Sequence, residues 1–463
     1  MAKSPPSTRI GRSARLGGLV AGQSARWAGT RAANLVRSPD EADAATGERA
    51  AALAGELVKQ LGQLRGAAMK VGQVLSTIDF TAIPESEREE FKATLASLRD
   101  DVPPLPFKKV RKLLEEELGG HVGDHFESFE EEAFAAASIG QVHRAVTLEG
   151  AEVAVKVQYP GVAEAVESDL RNLSLLLPLV KRLAPGLDVK ALYGELRERI
   201  AEELDYEFEA QNHRAVERAF RGHPFAHVPR VHTGLSSRRV LVTDLLSGRR
   251  FGDVKLLDEA ERDRFGEIVF RFYFSLLARM RRVCGDPHPG NYLLLADGRV
   301  GFLDFGLMRT LDAEHLAGEK ALARAVVAGD PGEVHTILAR LGYLPDPSAF
   351  EGEALLEWLA AAGEWYLQPG ARRLDPQYVA ALIDETSSPR TPWFEQLRQL
   401  TIPPQALLVR RMEGLIFTTL GELRAGGDWY SLASEFFADS PPSTELGEAD
   451  FQHWNSRGVL TES

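Results

Sequence analysis

Asp286 and Asn291 stand five residues apart in the run Cys284-Gly285-Asp286-Pro287-His288-Pro289-Gly290-Asn291, and Asp304-Phe305-Gly306 follows. These residue types could take a proton from an attacking hydroxyl and grip a hard divalent cation by oxygen. Between them, Tyr292-Leu293-Leu294-Leu295 and Val300-Gly301-Phe302 are apolar runs joined through Asp297-Gly298, which signals a β-hairpin. Such a hairpin would carry Asn291 at its mouth and return the chain so that Asp304 stands beside it. Either piece alone is weak, because rigid Pro-Gly loops and Asp-Phe-Gly turns also occur without chemistry. Order, spacing and hairpin together predict phosphoryl transfer, with Asp286 as proton acceptor and Asn291 and Asp304 as Mg²⁺ ligands.

Other elements must supply the nucleotide contacts. Ala135, Ala136, Ala137 and Ser138 read as a small-residue loop, followed by a strand to about residue 146, a Glu149-Gly150 turn and the strand Val153-Ala154-Val155-Lys156-Val157. Lys156 sits in an apolar, β-branched strand, where a charge needs a partner to be tolerated. The layout matches the nucleotide lobe of a kinase, whose Val-Ala-Ile-Lys strand brings its Lys to the α- and β-phosphates. A long helix is expected over residues 189–218. It carries Glu202, Glu203, Asp205, Glu207 and Glu209, and the sequence alone does not choose which of them pairs with Lys156. Val240 to Leu246 reads as a buried strand running into a Ser247-Gly248 link between lobes.

Upstream, Leu53, Leu57, Leu61, Leu64, Ala68, Val71 and Leu75 recur at helical steps, predicting an amphipathic helix over residues 43–78. Lys70 and Gln73 share one face of it. From this helix alone, a solvated position at the rim of a packing surface is the favoured reading for both. Two more helices are expected, over residues 85–98 and 107–118. The Asp-Phe-Gly turn is followed by helical patterns to about residue 420. Residues after 440 are polar and expected to be unstructured.

The 463 residues are 44% apolar and carry a formal charge of −13, which suits a globular chain of about two or three domains and disfavours a general nucleic-acid binder. A single cysteine, Cys284, allows no internal disulfide and no cysteine-built zinc site, so metal would be held by oxygen. No apolar run approaches the roughly 18 to 20 residues of a membrane span, giving an expectation of a cytoplasmic or peripheral protein. Before Asp40 the chain has Lys3, Arg9, Arg12, Arg15, Arg26, Arg31 and Arg37 and no acid. That arm reads as a transit peptide, a basic segment lying on an anionic membrane, or a solvated tail. The expected organisation is a basic arm (1–41), a helical extension (42–128), two lobes (129–246 and 247–439) and a polar tail (440–463).

With these motifs in order, the chain resembles the UbiB family of atypical kinases, also called ABC1 or ADCK. Lys70-Val71-Gly72-Gln73 matches its KxGQ motif, Ala135 to Ser138 its Ala-rich loop, and Glu203-Leu204-Asp205 its ExD motif; Lys156, Asp286 to Asn291 and Asp304-Phe305-Gly306 complete the set. The resemblance implies an α+β, two-lobed protein-kinase-like fold with an N-terminal KxGQ helical extension and a mostly helical C-lobe, binding ATP with Mg²⁺ between the lobes. It implies that Lys70 and Gln73 reach the active site and meet Glu203 and Asp205, and that Glu209 pairs with Lys156. It disfavours protein substrates and favours ATP hydrolysis or transfer to a small or lipid-like acceptor, in support of isoprenoid-quinone synthesis or prenyl-lipid homeostasis at membranes. A quinone precursor, a membrane surface or a lipid-biosynthetic complex are the partners it suggests. The chain departs from the family at Cys284, where a His is common, and in showing no membrane-spanning helix. The competing readings are a small-molecule kinase of the aminoglycoside or choline type and a non-catalytic regulator switched by nucleotide.

Overall fold

The computed structural model describes residues 22–23, 26–27, 29–30, 32–34, 37–61, 83, 91, 94–95, 105–137, 139–183, 189–387, 391–397 and 399–458. In chain order its principal elements begin with α1 (Pro39–Leu61), α2 (Phe107–Leu118), β1 (Phe126–Phe129), β2 (Ala135–Ala137), β3 (Gly140–Thr147) and β4 (Glu152–Gln158). Then come α3 (Val162–Leu183), α4 (Val189–Glu203), α5 (Tyr206–Phe220), β5 (Ala226–His227), β6 (Val240–Asp244) and β7 (Gly248–Arg250). Next are α6 (Glu259–Met280), β8 (Arg282–Cys284), β9 (Tyr292–Leu295), β10 (Val300–Phe302) and β11 (Met308–Thr310). The remainder is helical, with α7 (Ala313–Ala328), α8 (Pro331–Leu341), α9 (Gly352–Ala362), α10 (Pro376–Ser387), α11 (Pro404–Leu423), α12 (Trp429–Phe437) and α13 (Glu445–Ser456) the longest pieces. The chain divides into two units, Met1–Phe208 with His232–Val242, and Glu209–Val231 with Thr243–Ser463.

In the first unit, β1, β3, β4 and β6 form a sheet in that order, with β2 added to β3; the β1–β3, β2–β3 and β3–β4 pairs are antiparallel. Val153, Val155 and Val157 alternate along β4 and are fully buried, so the period-2 pattern places them on the core side and sends Lys156 to the opposite face. They pack with Val110, Leu113 and Leu114, which repeat at helical spacing on α2. Gly119 ends α2 in the left-handed conformation at φ 72°. A second cluster joins Leu53, Leu57 and Leu61 of α1 to Leu173, Leu176 and Leu179 of α3 and Leu196 of α4. Here the helix expected over residues 43–78 is present as far as Leu61; its remainder, with Lys70 and Gln73, lies outside the described residues, as does most of the segment expected at 85–98.

Three sequence expectations change. Ala135 to Ala137 are not a loop but a strand, paired Ala135 to Val142, Ala136 to Gln141 and Ala137 to Gly140. The helix expected over residues 189–218 is two helices. Leu204 and Asp205 separate them, because the Asp205 carboxylate accepts from the Glu207 backbone N–H at 3.0 Å and so caps α5. In addition, the tail after residue 440 is not unstructured: α13 starts at Thr444, whose side chain accepts from Gly447 N, and buries Asp450 and Trp454.

In the second unit, β5, β10, β9 and β7 form a four-stranded sheet, and β8 pairs with β11. One continuous core runs from Phe265, Ile268, Phe272 and Leu276 of α6 to Met412, Ile416 and Leu420 of α11. The Phe272 and Phe302 rings stack 3.6 Å apart, fixing the hairpin against α6.

Candidate active site

The expected hairpin is present. Tyr292 pairs with Phe302, Leu293 with Gly301 and Leu294 with Val300, while Gly298 turns the chain at φ 81°. Leu303 N donates to Asn291 O at 3.1 Å, which brings the Asn291 backbone beside the residue that precedes Asp304. The sequence logic of the loop is local. Pro289 starts a single helical turn, the His288 side chain accepts from Gly290 N, and that turn delivers Asn291 to the start of β9.

Asp304 is half-buried, and its Oδ1 accepts from Gly306 N at 2.9 Å, so the Asp-Phe-Gly turn holds the carboxylate in one orientation. Phe305 is buried against His213, with ring centroids 4.7 Å apart, and Asn212 donates to Phe305 O at 3.4 Å. Asn212 in turn accepts from Arg282 on β8 at 3.1 Å. Glu209, one turn earlier on α5, is buried beside this turn: a methyl group on Gly306 would stand 3.7 Å from its Oε2. Thus Glu209, Asn291 and Asp304 share the second unit with Asp286.

Around Asp286 the backbone is held on both sides. Gly285 N donates to Leu307 O at 2.9 Å, extending the pairing of Cys284 with Met308, and Gly285 O accepts from Arg411 Nε at 2.7 Å. Arg411 Nη2 lies 3.5 Å from Asp286 Oδ1. Cys284 is fully buried, and burial pushes its thiol up to about 12, so it stays neutral and unreactive.

Asn291 and Asp304 offer oxygen only. No group of three or more His, Cys, Asp and Glu side chains suited to a metal occurs among the described residues. The oxygen donors of Asn291 and Asp304 suit Mg²⁺, which is commonly held by one or two protein carboxylates together with substrate phosphates and water.

In the first unit, Lys156 Nζ lies 4.8 Å from the ring centroid of buried Tyr206, a cation–π contact that compensates part of the cost of placing an ammonium on this sheet. Gly140 is required there: a Cβ would come within 2.3 Å of Val157 O and 2.9 Å of the Tyr206 hydroxyl. Gln158, the residue after the Val-Lys-Val run ends, donates to Leu204 O at 2.9 Å and so ties β4 to the helix break. Glu203 is half-buried at the end of α4, and Asp205 lies 3.5 Å from Arg238. Ala135 and Ala137 are half-buried and Ala136 exposed; Ser138, like Lys70 and Gln73, lies outside the described residues. Tyr206, Gln158, Asn212 and Arg411 were not singled out from sequence. Only Tyr206 had a local signal, an aromatic directly after the Glu-Leu-Asp run.

The ABC1 atypical kinase-like domain matches residues 97–337. Atypical kinase COQ8B, mitochondrial, of Rattus norvegicus is 34% identical over 331 residues, covering 71% of this chain and 62% of that protein. The protein of the same name from Danio rerio is 33% identical, covering 75% of this chain and 55% of its own length. The chain therefore spans less than two thirds of these relatives. A solved structure titled as the complex of Rv3197 with erythromycin, from Mycobacterium tuberculosis, is 31% identical with a TM-score of 0.63, covering 86% of this chain and 98% of that one.

Proposed function

Because this chain belongs to the ABC1 atypical kinase-like family, we propose that it is a kinase-type ATPase that turns over Mg²⁺-ATP with Asp286, Asn291 and Asp304. The observation that carries this reading is the tie from Leu303 N to Asn291 O, which sets Asn291 beside the Asp304 turn with oxygen ligands only. Asn291 and Asp304 would hold the metal. When bound, Mg²⁺ neutralises charge developing on the γ-phosphoryl group. Lys156 and Glu209 are assigned to orienting the α- and β-phosphates, and Ala135, Ala136, Ala137 and Ser138 to covering them. Lys70, Gln73, Glu203 and Asp205 are assigned to nucleotide selection.

Asp286 accepts the proton of the attacking hydroxyl or water as that oxygen bonds to the γ-phosphorus. The bond from the γ-phosphorus to the bridging oxygen breaks, and ADP leaves. The acceptor is water or a small or lipid-like hydroxyl, and the family resemblance points to isoprenoid-quinone or prenyl-lipid chemistry at a membrane. Residues 129–246 and 247–439 are proposed as the two kinase lobes.

ATP hydrolysis by the purified chain, with and without Mg²⁺, tests this. Turnover should require the metal, rise in the presence of vesicles holding a polyprenylated phenol, and fall about 100-fold or more in Asp286→Asn. Full activity in that variant contradicts the assignment. Rapid phosphorylation of a soluble amine or sugar would favour a small-molecule kinase instead, and metal-dependent binding without turnover would favour a nucleotide switch. Because a relative with matching length is titled as an erythromycin complex, the same assay with erythromycin probes a second reading, in which a bulky apolar ligand controls turnover.

A further inference from the structure

Arg411 donates to both the Gly285 carbonyl and the Asp286 carboxylate. It reaches them from α11, far along the chain. The peptide that precedes Asp286 has its N–H fixed by Leu307 O at 2.9 Å and its C=O fixed by Arg411 Nε at 2.7 Å. Leu408, one turn earlier on the same face of α11, closes the packing: a Cβ on Gly285 would lie 2.7 Å from Leu408 Cδ2. Within the loop, His288 N donates to Asp286 O at 2.7 Å, a contact to the backbone rather than to the carboxylate. Cys284 is buried two residues before Asp286, and a thiol is a weak donor.

The helix that carries Arg411 is itself anchored next door. Arg410 pairs with Glu319 of α7 and, at 2.9 Å, with Glu413. A planar guanidinium suits the task better than an ammonium, since its Nε and Nη2 point the same way and can serve two acceptors at once.

We infer that Arg411 is the positioning residue of Asp286: it pins the preceding carbonyl and one carboxylate oxygen, Oδ1, and so leaves Oδ2 as the oxygen presented to the attacking hydroxyl or water. This rests on the reading of Asp286 as the proton acceptor. Arg411→Ala lets the loop relax while leaving the proposed nucleotide and metal ligands in place. A misplacement of about 1 Å costs roughly 100-fold in rate.

The experiment measures kcat, KM for ATP and nucleotide affinity for the wild type, Arg411→Ala, Arg411→Lys, Asp286→Asn and the double variant Asp286→Asn/Arg411→Ala. Arg411→Ala should lower kcat by about 30- to 100-fold with nucleotide affinity changed less than threefold, added guanidinium should restore part of the rate, and the double variant should be no slower than Asp286→Asn alone. Arg411→Lys should lie between wild type and Arg411→Ala, and it answers the question if the alanine variant does not fold. Unchanged kcat in the Arg411 variants, or losses that multiply in the double variant, overturn the positioning role alone. Absence of metal-dependent turnover in the wild type, or full activity in Asp286→Asn, removes the underlying reading and the inference with it.

Discussion

Glu319 is a buried carboxylate that anchors α11 through Arg410, the residue next to Arg411. It lies on α7 with its side chain 8% exposed, accepts from Tyr343 Oη at 2.9 Å, stands 3.3 Å from His315 Nε2 and pairs with Arg410. Burial alone would raise its pKa, but the Arg410 charge, with the neighbouring His315 and the Tyr343 hydrogen bond, outweighs that and holds the carboxyl at about 2. A folded value below the usual 4.5 means stability that is present above pH 4.5 and lost as the pH falls from there toward 2. Glu319→Gln should therefore cost about 3 kcal/mol at neutral pH, in the range seen when one partner of a buried pair is removed, and much less near pH 3. Urea unfolding at the two pH values checks this; an equal loss at both would mean that charge is not what Glu319 contributes. Because Arg410 and Arg411 are neighbours on α11, kcat should fall along with stability.

At the scale of single elements, the β3–β4 pair is held at van der Waals limits. Gly140→Ala places a methyl group 2.3 Å from Val157 O, which the antiparallel ladder cannot relieve without moving β4 and Lys156. The expected loss is about 1 to 3 kcal/mol, with weakened nucleotide binding in the protein that still folds. Thermal melting and nucleotide titration measure both, and a variant indistinguishable from wild type would refute the close-approach account. The sequence announced the hairpin before Asp304 because two short apolar runs around Asp-Gly are a local signal. It announced α2 for the same reason, through a local helical pattern. The break between α4 and α5 was invisible, since Glu-Leu-Asp is acceptable inside a helix; the break depends on Asp205 turning back to cap and on Gln158, distant in sequence, taking the Leu204 carbonyl. Three alanines have no strand preference of their own, so β2 exists through its pairing with β3. The ladder of β8 and β11 is three residues long on each side, too short for any periodicity, yet it fixes Gly285. Arg411 could not be found from sequence, because nothing near residue 411 points to a loop near residue 286.

Over the whole molecule, the fold is the kinase-like α+β fold of the ABC1 family, with a separate apolar core in the second unit and two in the first. The second core of the first unit takes in Leu53, Leu57 and Leu61, three of the apolar positions of the amphipathic helix expected over residues 43–78. In the second unit the polar C-terminal segment folds back: His223 and Asp450 lie 3.1 Å apart, Trp454 donates to the same carboxylate at 3.1 Å, and Arg271 donates to Thr444 Oγ1 at 2.9 Å. Composition alone had assigned that segment to solvent, because polar residues outnumber its apolar ones, Trp454 among them. Among the described residues no helix is long and apolar enough to cross a membrane. The central claim is that Asp304 and Asn291 hold the metal through which the chain engages the triphosphate. Its most direct measurement is ATP affinity as a function of Mg²⁺ for the wild type and Asp304→Asn. The account predicts that Mg²⁺ tightens ATP binding at least tenfold in the wild type and leaves it unchanged in Asp304→Asn. An identical Mg²⁺ dependence in the two proteins would contradict it.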